Sequence, residues 1–569
     1  MQAWLELPAT EGAAALAITP PTGAAAAGVP GLPVPLLAGI SAIERPLSIP
    51  GIAPAAVSNM DATLYGAGGV GAPLVGARKG QAQGLPLLWG ERPPLRRAAR
   101  VVIDGVGANN HSPETVFDGI VSSVKLGASA SISLEAGMER PLSDRLPLRT
   151  TAVWGGWREV QAIPWGWGKV TITPIQYDDT QRLFVLLDHP IEGVDAVTRD
   201  DAPCAAYEWR NGTDSAGHAV SFLELAEPLA EGERLAATVR GRMHPDTGRL
   251  LQSPAEVLHD VLANLIGAPV QWADFDEWRT ETEGIQLGGI LADASITCRA
   301  AVDAIVQSVG GAWSAAMPGI ACLWPPTADE HAPAIAVTPL TAKDLQATCD
   351  ATGLTTQLRV LYDYDHAAQR YLKAIELTAP EAAKEHGLLT LEWPAPWLRS
   401  PRHAEAMGQR ILRYLARPRW RLTWQQAWTH AAAATPTGAW VDIAHPLAPV
   451  SGRVRLLNAS LDLGSATLQC TAEAAAGDAP AITTQRLSAA FEPLLAAGIK
   501  VEFAGSEIIF TAVDENGQPL AGSRITLDDG AQVRIADAAG RVSFPVQRGK
   551  HTLLIEADGY APMMSEVVL

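Results

Sequence analysis

Cysteine is scarce in this chain of 569 residues and follows neither a metal-binding nor a disulfide pattern. The five cysteines are odd in number and widely spaced: Cys204, Cys298, Cys322, Cys349 and Cys470. A zinc ribbon needs thiolates paired at Cys-x-x-Cys spacing, and a disulfide framework needs an even set in an oxidising compartment. The sequence therefore predicts neither, which fits assembly in a reducing cytoplasm.

Charged residues are also few, and positive charge is the scarcer kind. They make up 18% of the chain, with 43 Lys and Arg against 61 Asp and Glu, and the net charge is -18. The usual charged share is about 25%, so this composition favours burial of surface against copies of the chain or other subunits. Because nucleic-acid affinity comes mainly from Lys and Arg, we expect no specific nucleic-acid binding. The best basic cluster, residues 92–100, is better explained as a solvated or interface segment.

The sequence lacks an apolar run of the kind that targets or anchors a chain. A secretory signal begins with basic residues, whereas Glu6 and Glu11 stand near this N-terminus. The apolar stretch 13–40 is interrupted by five prolines: Pro20, Pro21, Pro30, Pro33 and Pro35. A continuous transmembrane helix cannot form there, so we expect no membrane insertion by this chain.

Motifs of common enzymes are missing: the sequence has no GxSxG, no HExxH, no P-loop and no EF-hand loop. Two acidic clusters stand out, Asp-Phe-Asp-Glu at 274–277 and Asp-Tyr-Asp-His at 363–366. Paired carboxylates can hydrolyse glycosides when they face a sugar cleft, but a solvated loop or an interface is the plainer interpretation. The GxGxxG match at 66–71 has no strand before it and Pro73 after it, so it predicts a flexible loop. We therefore predict no enzyme, with no catalytic residue, no cofactor and no metal ligand.

Histidine and tryptophan supply the remaining candidate sites. The pairs His189-Pro190 and His445-Pro446 each follow a strand pattern, and they indicate loop starts because the residue before proline is driven out of helical conformation. A metal role is the alternative. The 17 tryptophans include a cluster of Trp154, Trp157, Trp165 and Trp167. Packing or subunit contact is the expected role of this cluster, with a sugar-binding platform as the alternative.

What the sequence has in quantity is short β-strand patterns. Apolar or alternating runs recur about every ten residues from residue 100, separated by polar turns, a spacing typical of barrels and sandwiches. Helix starts are clear at Ser253, followed by Pro254 and Glu256, and at Ser400, while Pro418 stops the second helix. We also predict a helix from about residue 295, a hairpin at 312–324 and a short helix at 489–497.

Changes of pattern divide the chain into six segments. They are an Ala/Gly/Pro-rich N-terminal arm (1–95), β-barrel domains (96–250), a small α+β module (251–334), a β domain with one long helix (335–475), a connector (476–507) and a C-terminal β domain (508–569). The arm is apolar and has little periodicity, so we expect an extended segment with some short strands that orders against a neighbouring subunit.

The last segment resembles the carboxypeptidase regulatory-like, transthyretin-like β-sandwich. The matching residues are Asp514, Gly517, Pro519, Leu520, Gly522, Asp537, Gly540, Phe544, Gly549, Gly559 and Tyr560. The resemblance implies a role in adhesion or spacing, without catalysis, and such domains also decorate phage tail proteins.

Residues from about 100 to 475 resemble the central tail-tip or baseplate hub proteins of long-tailed bacteriophages and prophages. The resemblance lies in the order and spacing of segments: 116–121, 140–147, 188–190, 253–258, the helix 404–416 with Arg417-Pro418-Arg419, and 440–446. Hubs usually carry a Gly-Asp turn in the last of these, and Ala439-Trp440 departs from it. The lysozyme or peptidase domain of some hubs has no counterpart here.

These resemblances imply a mostly β, multidomain fold: hub domains of barrel or sandwich type, a small α+β insertion and a C-terminal transthyretin-like β-sandwich. They imply a structural component of a tail tip or baseplate in the virion, assembled in the bacterial cytoplasm. It would form a homotrimeric ring that joins the tail tube to receptor-binding or spike proteins and gates DNA passage. The implied partners are the distal tail protein, the tape measure protein and tail fibres or a spike. The alternative is a secreted or surface carbohydrate-binding or adhesion protein.

Purified protein is expected to hydrolyse neither peptidoglycan nor polysaccharide, because no catalytic constellation stands in the sequence. Release of soluble sugar from each polymer measures this. Turnover that disappears in Asp276→Asn or Asp365→Asn would contradict it.

Overall fold

The chain forms two compact bodies, of which the first is built from Met1–Gln369 and Ala374–Arg486 and the second from Arg370–Lys373 and Leu487–Leu569. The computed structural model describes residues 2–7, 16–18, 32–34, 37–41, 43–52, 59–64, 95–104, 114–125, 130–136, 139–155, 160–230, 232–315, 320–324, 335–427, 437–462, 465, 467–477, 479–487, 498–504, 507–513, 519–527, 532–545, 550–556 and 563–568. These residues form 38 strands in nine sheets and six α-helices. The predicted fold class, mostly β with several domains, is confirmed.

The first body opens with an eight-stranded sheet. The strands of this part of the chain are β1 (Gln2–Leu7), β2 (Leu16–Ile18), β3 (Leu32–Val34), β4 (Leu37–Ile40), β5 (Ile43–Pro46), β6 (Asn59–Leu64), β7 (Ala98–Asp104), β8 (Glu114–Lys125) and β9 (Ala130–Ala136). All but β5 join the sheet, in the order β3–β2–β1–β7–β8–β9–β6–β4.

Strands of the predicted N-terminal arm are therefore paired within their own chain. Strand β1 runs antiparallel to β7, from Gln2 opposite Asp104 to Glu6 opposite Arg100, and β6 pairs with β9 in the same way. The short strands expected in this segment are present, with three to six residues each, and its ordering against a neighbouring subunit stays a prediction. Such strands are stabilised by cross-strand pairing with distant partners, which no local pattern announces.

A small β body follows the eight-stranded sheet. After α1 (Glu139–Ser143) and a 3₁₀ turn (Thr151–Trp154) come β10 (Trp165–Trp167), β11 (Lys169–Ile172), β12 (Ile175–Gln176), β13 (Leu183–Val185), β14 (Ile191–Arg199), β15 (Ala202–Pro203), β16 (Tyr207–Thr213), β17 (Ala219–Leu225) and β18 (Leu235–Arg242). They form two four-stranded sheets, β11–β18–β14–β15 and β12–β13–β17–β16. Leu235, Ala237 and Val239 alternate inward along β18 and join a core with Phe184 and Leu223.

The helical module confirms the predicted start signals. Its elements are α2 (Pro254–Asp260), which continues as a π-helical turn (Val261–Ile266), a 3₁₀ turn (Trp272–Phe275), α3 (Asp276–Glu281), β19 (Gly289–Leu291), α4 (Cys298–Ser308), β20 (Gly311–Ser314) and β21 (Ile320–Leu323). The Ser253 side chain accepts a hydrogen bond from Glu256 N and caps α2. The helix predicted from about residue 295 begins after Thr297, whose side chain caps it, and the predicted hairpin is the pair β20–β21.

The rest of the first body is a second large sheet, a four-stranded sheet and two helices. Its elements are β22 (Ile335–Val337), β23 (Ala342–Asp350), β24 (Gln357–Asp365), β25 (Arg370–Thr378), α5 (Pro380–His386), β26 (Thr390–Ala395), α6 (Pro401–Leu415), β27 (Arg419–Ala427), β28 (Trp440–Ile443), β29 (Gly452–Asp462), β30 (Thr467–Ala475) and β31 (Thr483–Leu487). The order of the large sheet is β22–β28–β29–β30–β27–β23, and β5 also pairs with its strand β29. The order of the four-stranded sheet is β26–β24–β25–β31. The predicted long helix is α6, and its predicted face of Met407, Ile411, Leu412 and Leu415 is buried.

Residues 43–52, which we call the tie, connect the two large sheets. β5 leaves the sheet of its neighbours β4 and β6 and pairs with β29, placing Ile43 opposite Leu461. The Thr437 hydroxyl donates to the Arg45 carbonyl, and Ser48 forms a two-way backbone bridge with Trp313 of β20 at 2.7 and 2.9 Å. Ile43 lies in the core shared by the two large sheets, whereas Leu47 and Ile49 lie in the core that the helical module shares with α6 and β24–β26.

The second body contains seven described strands in two sheets. They are β32 (Gly498–Ala504), β33 (Glu507–Val513), β34 (Arg524–Leu527), β35 (Gln532–Ile535), β36 (Arg541–Pro545), β37 (Lys550–Glu556) and β38 (Met563–Val568), ordered β32–β33–β36 and β35–β34–β37–β38. Gly540 has a φ of +72°, and a Cβ there would lie 2.4 Å from the Ala512 carbonyl oxygen, so this position of the quoted motif requires glycine. The predicted connector contains β32, which pairs with β33 along its whole length.

The transthyretin-like assignment stays a prediction, and so do the other segment boundaries. Several of its motif residues lie outside the described residues: Asp514, Gly517, Gly549, Gly559 and Tyr560. The short helix predicted at 489–497 lies outside them as well.

Shortening a buried side chain of the tie should destabilise the first body as a whole. Ile43→Ala is expected to lower the free energy of unfolding by about 2–5 kcal/mol, the usual cost of a large-to-small change in a core. Chemical denaturation followed by tryptophan fluorescence measures it. The control is Leu388→Ala in the same body, a leucine that is 63% exposed and whose loss should be close to neutral. Equal stability of the two variants would contradict a structural role of the tie.

Candidate functional site

Three buried clusters of charged and aromatic side chains join segments of the first body that lie far apart in sequence. The first is centred on Arg149. Its Nε donates to Asp188 Oδ2 at 2.9 Å and its Nη1 donates to Asp214 Oδ2 at 3.1 Å, while Nη2 also contacts Asp188. Trp154 Nε1 donates to Asp214 at 2.9 Å and Trp165 Nε1 to Asp188 at 3.3 Å. Both carboxylates are buried, so a single guanidinium pairs with and orients two acidic side chains from the loops after β13 and β16.

The two carboxylates of this cluster respond differently to their surroundings. Burial raises the pKa of Asp188 above its usual value, although the Arg149 guanidinium acts in the opposite direction. Burial would also raise the pKa of Asp214, but hydrogen bonds from Trp154, His218 N and Arg149 outweigh it and lower the pKa. Asp214 is therefore held as a carboxylate.

The second cluster joins the small β body to the helical module. Asp260 on α2 accepts hydrogen bonds from Trp167 Nε1 at 2.8 Å and from Asn264 at 2.7 Å, and it pairs with Arg242 of β18 at 2.6 Å. The Arg242 guanidinium lies over the Trp165 ring, 4.6 Å from its centre. A fully buried acid is thus surrounded by donors from β10, β18 and its own helix, which satisfies the requirement that buried charge be paired.

Close backbone approach places β10 in this cluster. Gly168, next to Trp167, has a φ of +60°, and a Cβ there would lie 1.9 Å from the Leu287 carbonyl oxygen. Only glycine fits, because any side chain would push the strand 289–291 away from β10, its antiparallel partner.

His189 is buried between the first two clusters and is held in one tautomer. Its Nε2 accepts a hydrogen bond from Gly166 N at 3.1 Å, so the ring proton must be on Nδ1, which donates to the Pro190 carbonyl at 2.9 Å. Its ring lies 5.5 Å from that of Trp165. Burial lowers the pKa of His189 to about 4, because a second ring proton would find neither solvent nor an acceptor.

The third cluster joins the helical module to the second large sheet through Arg455 of β29, which is 3% exposed. Its Nη1 donates to the Gly438 carbonyl at 2.6 Å, and its Nη2 pairs with Glu277 and, at 3.3 Å, with Glu281 of α3. The guanidinium lies over the Trp440 ring at 4.5 Å. Glu281 also accepts from Leu323 N at 2.7 Å, and burial raises the pKa of this glutamate.

The two acidic clusters of the sequence are placed in structural roles. Asp274 caps the turn at Gln271 N at 2.8 Å, Asp276 pairs with Arg279, and Glu277 belongs to the Arg455 cluster. In the other cluster, Asp363 pairs with Arg399 at 3.2 Å. Asp365 accepts from Ala367 N and Ala368 N at 2.8 and 3.0 Å, which closes the turn after β24.

Of the other candidate residues in the sequence, some have structural roles and some lie outside the described residues. Trp165 and Trp167 are packed into the first two clusters, which fits the packing role, while Trp157 lies outside the described residues. His445 Nδ1 accepts from Leu447 N at a loop start, as predicted. Of the basic cluster at 92–100, Arg100 pairs with Asp118 at 3.3 Å and Arg92 lies outside the described residues, as does the GxGxxG segment.

Neither a metal centre nor a membrane span is found in the described part of the chain. No group of three or more His, Cys, Asp or Glu side chains is arranged there to hold a metal ion. None of the described helices has the length and apolar character that a bilayer crossing requires. The five cysteines are free thiols, and burial raises the pKa of Cys298 to about 11.

Sequence reasoning missed the arginines that organise these clusters. Arg149, Arg242 and Arg455 belong to no motif, and their acidic partners lie from 18 to more than 170 residues away. The available signal was an arginine at the end of an alternating strand pattern, as Arg242 is at the end of β18.

Comparison with known proteins gives distant structural likenesses to a tail protein, a virion chain and a secretion-system component. One is a tail protein from Neisseria meningitidis, 9% identical, with a TM-score of 0.38 over 76% of this chain and 91% of that chain. Another is a chain of the native gene transfer agent virion, 14% identical, with a TM-score of 0.38 over 59% and 89%. A third is an Escherichia coli component of the type VI secretion system, 9% identical, with a TM-score of 0.32 over 95% and 98%. No family model and no curated protein sequence matches the chain.

Acidification should destabilise the first body through His189. Between pH 6.5 and about 4 the unfolded histidine binds a proton that the folded one excludes, so stability is lost as the pH falls through this window. His189→Gln should reduce the loss by up to about 1.4 kcal/mol per pH unit, as measured by urea denaturation at several pH values. The dependence of stability on pH that remains in this variant includes the contribution of His366, because burial lowers the pKa of that histidine to about 3.

The matched control is Leu187→Ala, a buried neighbour without a titratable group. It should lower stability equally across the pH range and keep the wild-type slope. An unchanged slope of stability against pH in His189→Gln would show that folding does not lower the pKa of His189.

Proposed function

We propose that this chain is a structural component of a bacteriophage tail tip or baseplate. It would form a hub-like homotrimeric ring that joins the tail tube to receptor-binding or spike proteins and gates DNA passage. The observation that carries the proposal is the core shared by the two large sheets. In it, Leu5 and Leu134 of the first sheet belong to the same buried cluster as Trp424 and Ala472 of the second, so the two sheets form one unit. The small β body and the helical module are fixed parts of the same first body, which suits a connector between other proteins.

The buried clusters support a mechanical role. The Asp260 and Arg455 clusters each join two modules by charge-assisted hydrogen bonds, and removal of one partner would leave an unpaired buried charge at a cost of about 3–5 kcal/mol. The modules are therefore held in defined positions, as a ring that transmits contact from a fibre to the tube requires.

The charge of the chain supports passage of DNA without binding. With 61 acidic against 43 basic residues, the chain repels a phosphate backbone on average. We propose that part of this acidic surface lines the lumen of the ring, and that the distal tail protein, the tape measure protein and tail fibres or a spike bind its other faces.

The proposal is tested in the phage or prophage that encodes the chain. A gold-labelled version should be found by electron microscopy at one end of the tail, in a copy number divisible by three. Removal of the gene should give tails without a tip, and expression from a plasmid should restore them. Label along the whole tube, or none in particles, would contradict the proposal. Secretion with glycan binding would favour the adhesion alternative.

A further inference from the structure

Two turns at one end of the second large sheet each present an exposed leucine. Strands β22 and β28 are parallel and in register, with Val337 opposite Ile443, so the chain leaves both strands at the same end of the sheet. The turn 338–341 presents Leu340, which is 97% exposed, and the turn 444–448 presents Leu447, which is 69% exposed. We call these the leucine turns. Ala444 N donates to the Val337 carbonyl at 3.0 Å and so fixes the second turn beside the end of β22.

Both leucine turns are held by their own hydrogen bonds. In the first, Thr341 Oγ1 accepts from Thr338 N at 2.9 Å and donates to the Ala336 carbonyl at 2.9 Å, and Ala342 N donates to the Thr338 carbonyl. In the second, Leu447 N donates to His445 Nδ1 and Ala448 N to the His445 carbonyl at 3.0 Å. Ala448 also packs against the core of the large sheets. The two leucines are thus displayed on ordered turns, which lowers the entropy that binding costs.

The leucine turns are free of formal charge in a strongly acidic chain. Residues 332–342 and 443–452 contain no Asp, Glu, Lys or Arg, although the net charge of the chain is -18. Two copies that approach through average surface bring carboxylates together, because acidic residues outnumber basic ones. An uncharged apolar protrusion avoids this repulsion, whereas a basic partner would be attracted by the acidic surface instead. The charge distribution therefore favours another copy of the same acidic chain as the occupant.

We propose that the leucine turns form a contact between copies of this chain, in which Leu340 and Leu447 are buried on an apolar surface of the neighbouring copy. The proposal rests on the proposed function in one respect, since it names the surface through which the ring would close. A ring of identical chains needs a patch on each copy that meets a different patch on the next. A leucine removed from water at such a contact contributes in proportion to its buried apolar area.

The test is self-association of the full-length chain, measured by analytical ultracentrifugation and mass photometry over a range of concentrations. Leu340→Ser with Leu447→Ser should weaken self-association at least tenfold without adding charge, and circular dichroism should show an unchanged fold. The control is Leu388→Ser, a leucine that is 63% exposed at the turn before β26, which should associate as the wild type does. An unchanged association of the double variant would overturn the proposal, and so would an equal loss in the control.

Incorporation into particles separates this proposal from the proposed function. If the wild-type chain stays monomeric at every concentration but still enters tails, the contact between copies is wrong and the tail role stands. If the chain associates through the leucine turns but is absent from particles, the contact stands and the tail role is wrong.

Discussion

The passage of residues 43–52 from one hydrophobic core to another is the constraint on which the first body depends. Ile43 is buried between the two large sheets, while Leu47 and Ile49, a few residues on, are buried in the helical module. The backbone between them pairs with β29 and then with Trp313. Neither core is complete without this segment. Because one stretch of chain belongs to both, the sheets and the module cannot shift against each other without exposing apolar surface or breaking its hydrogen bonds.

Buried charge supplies the specificity that apolar burial lacks. Hydrophobic contacts are non-directional, so Leu47 alone would tolerate several orientations of the module. Arg455 tolerates few, because its donors must meet Gly438 and two glutamates while its guanidinium stays over Trp440. Burying these ions brings little net stability, but leaving one of them unpaired is costly. Hence the apolar cores hold the modules together, and the ion clusters fix how they are oriented.

The sequence predicted the local elements well and the long-range ones poorly. Helices α2 and α6 begin where Ser253 and Ser400 stand, because capping and proline effects act within a few residues. The hairpin β20–β21 was also predicted, since its two strands are neighbours in the chain. The tie was not, because β5 has four residues and its partner β29 begins more than 400 residues later. The Arg149 and Arg455 clusters were missed for the same reason: charge pairing between distant strands leaves no periodicity in either one.

The two kinds of contact also differ in what it costs to open them. Separating the two large sheets would expose the apolar core around Leu422 and Trp424 to water, at about 25 cal/mol for each square ångström. Opening the Arg455 joint instead returns one guanidinium and the Glu281 carboxylate to water, where hydration replaces most of what their pairing supplied. Glu281 also regains the hydration that burial denies it. If the modules of the first body separate, the polar joint between α3 and β29 is therefore the place where separation costs least.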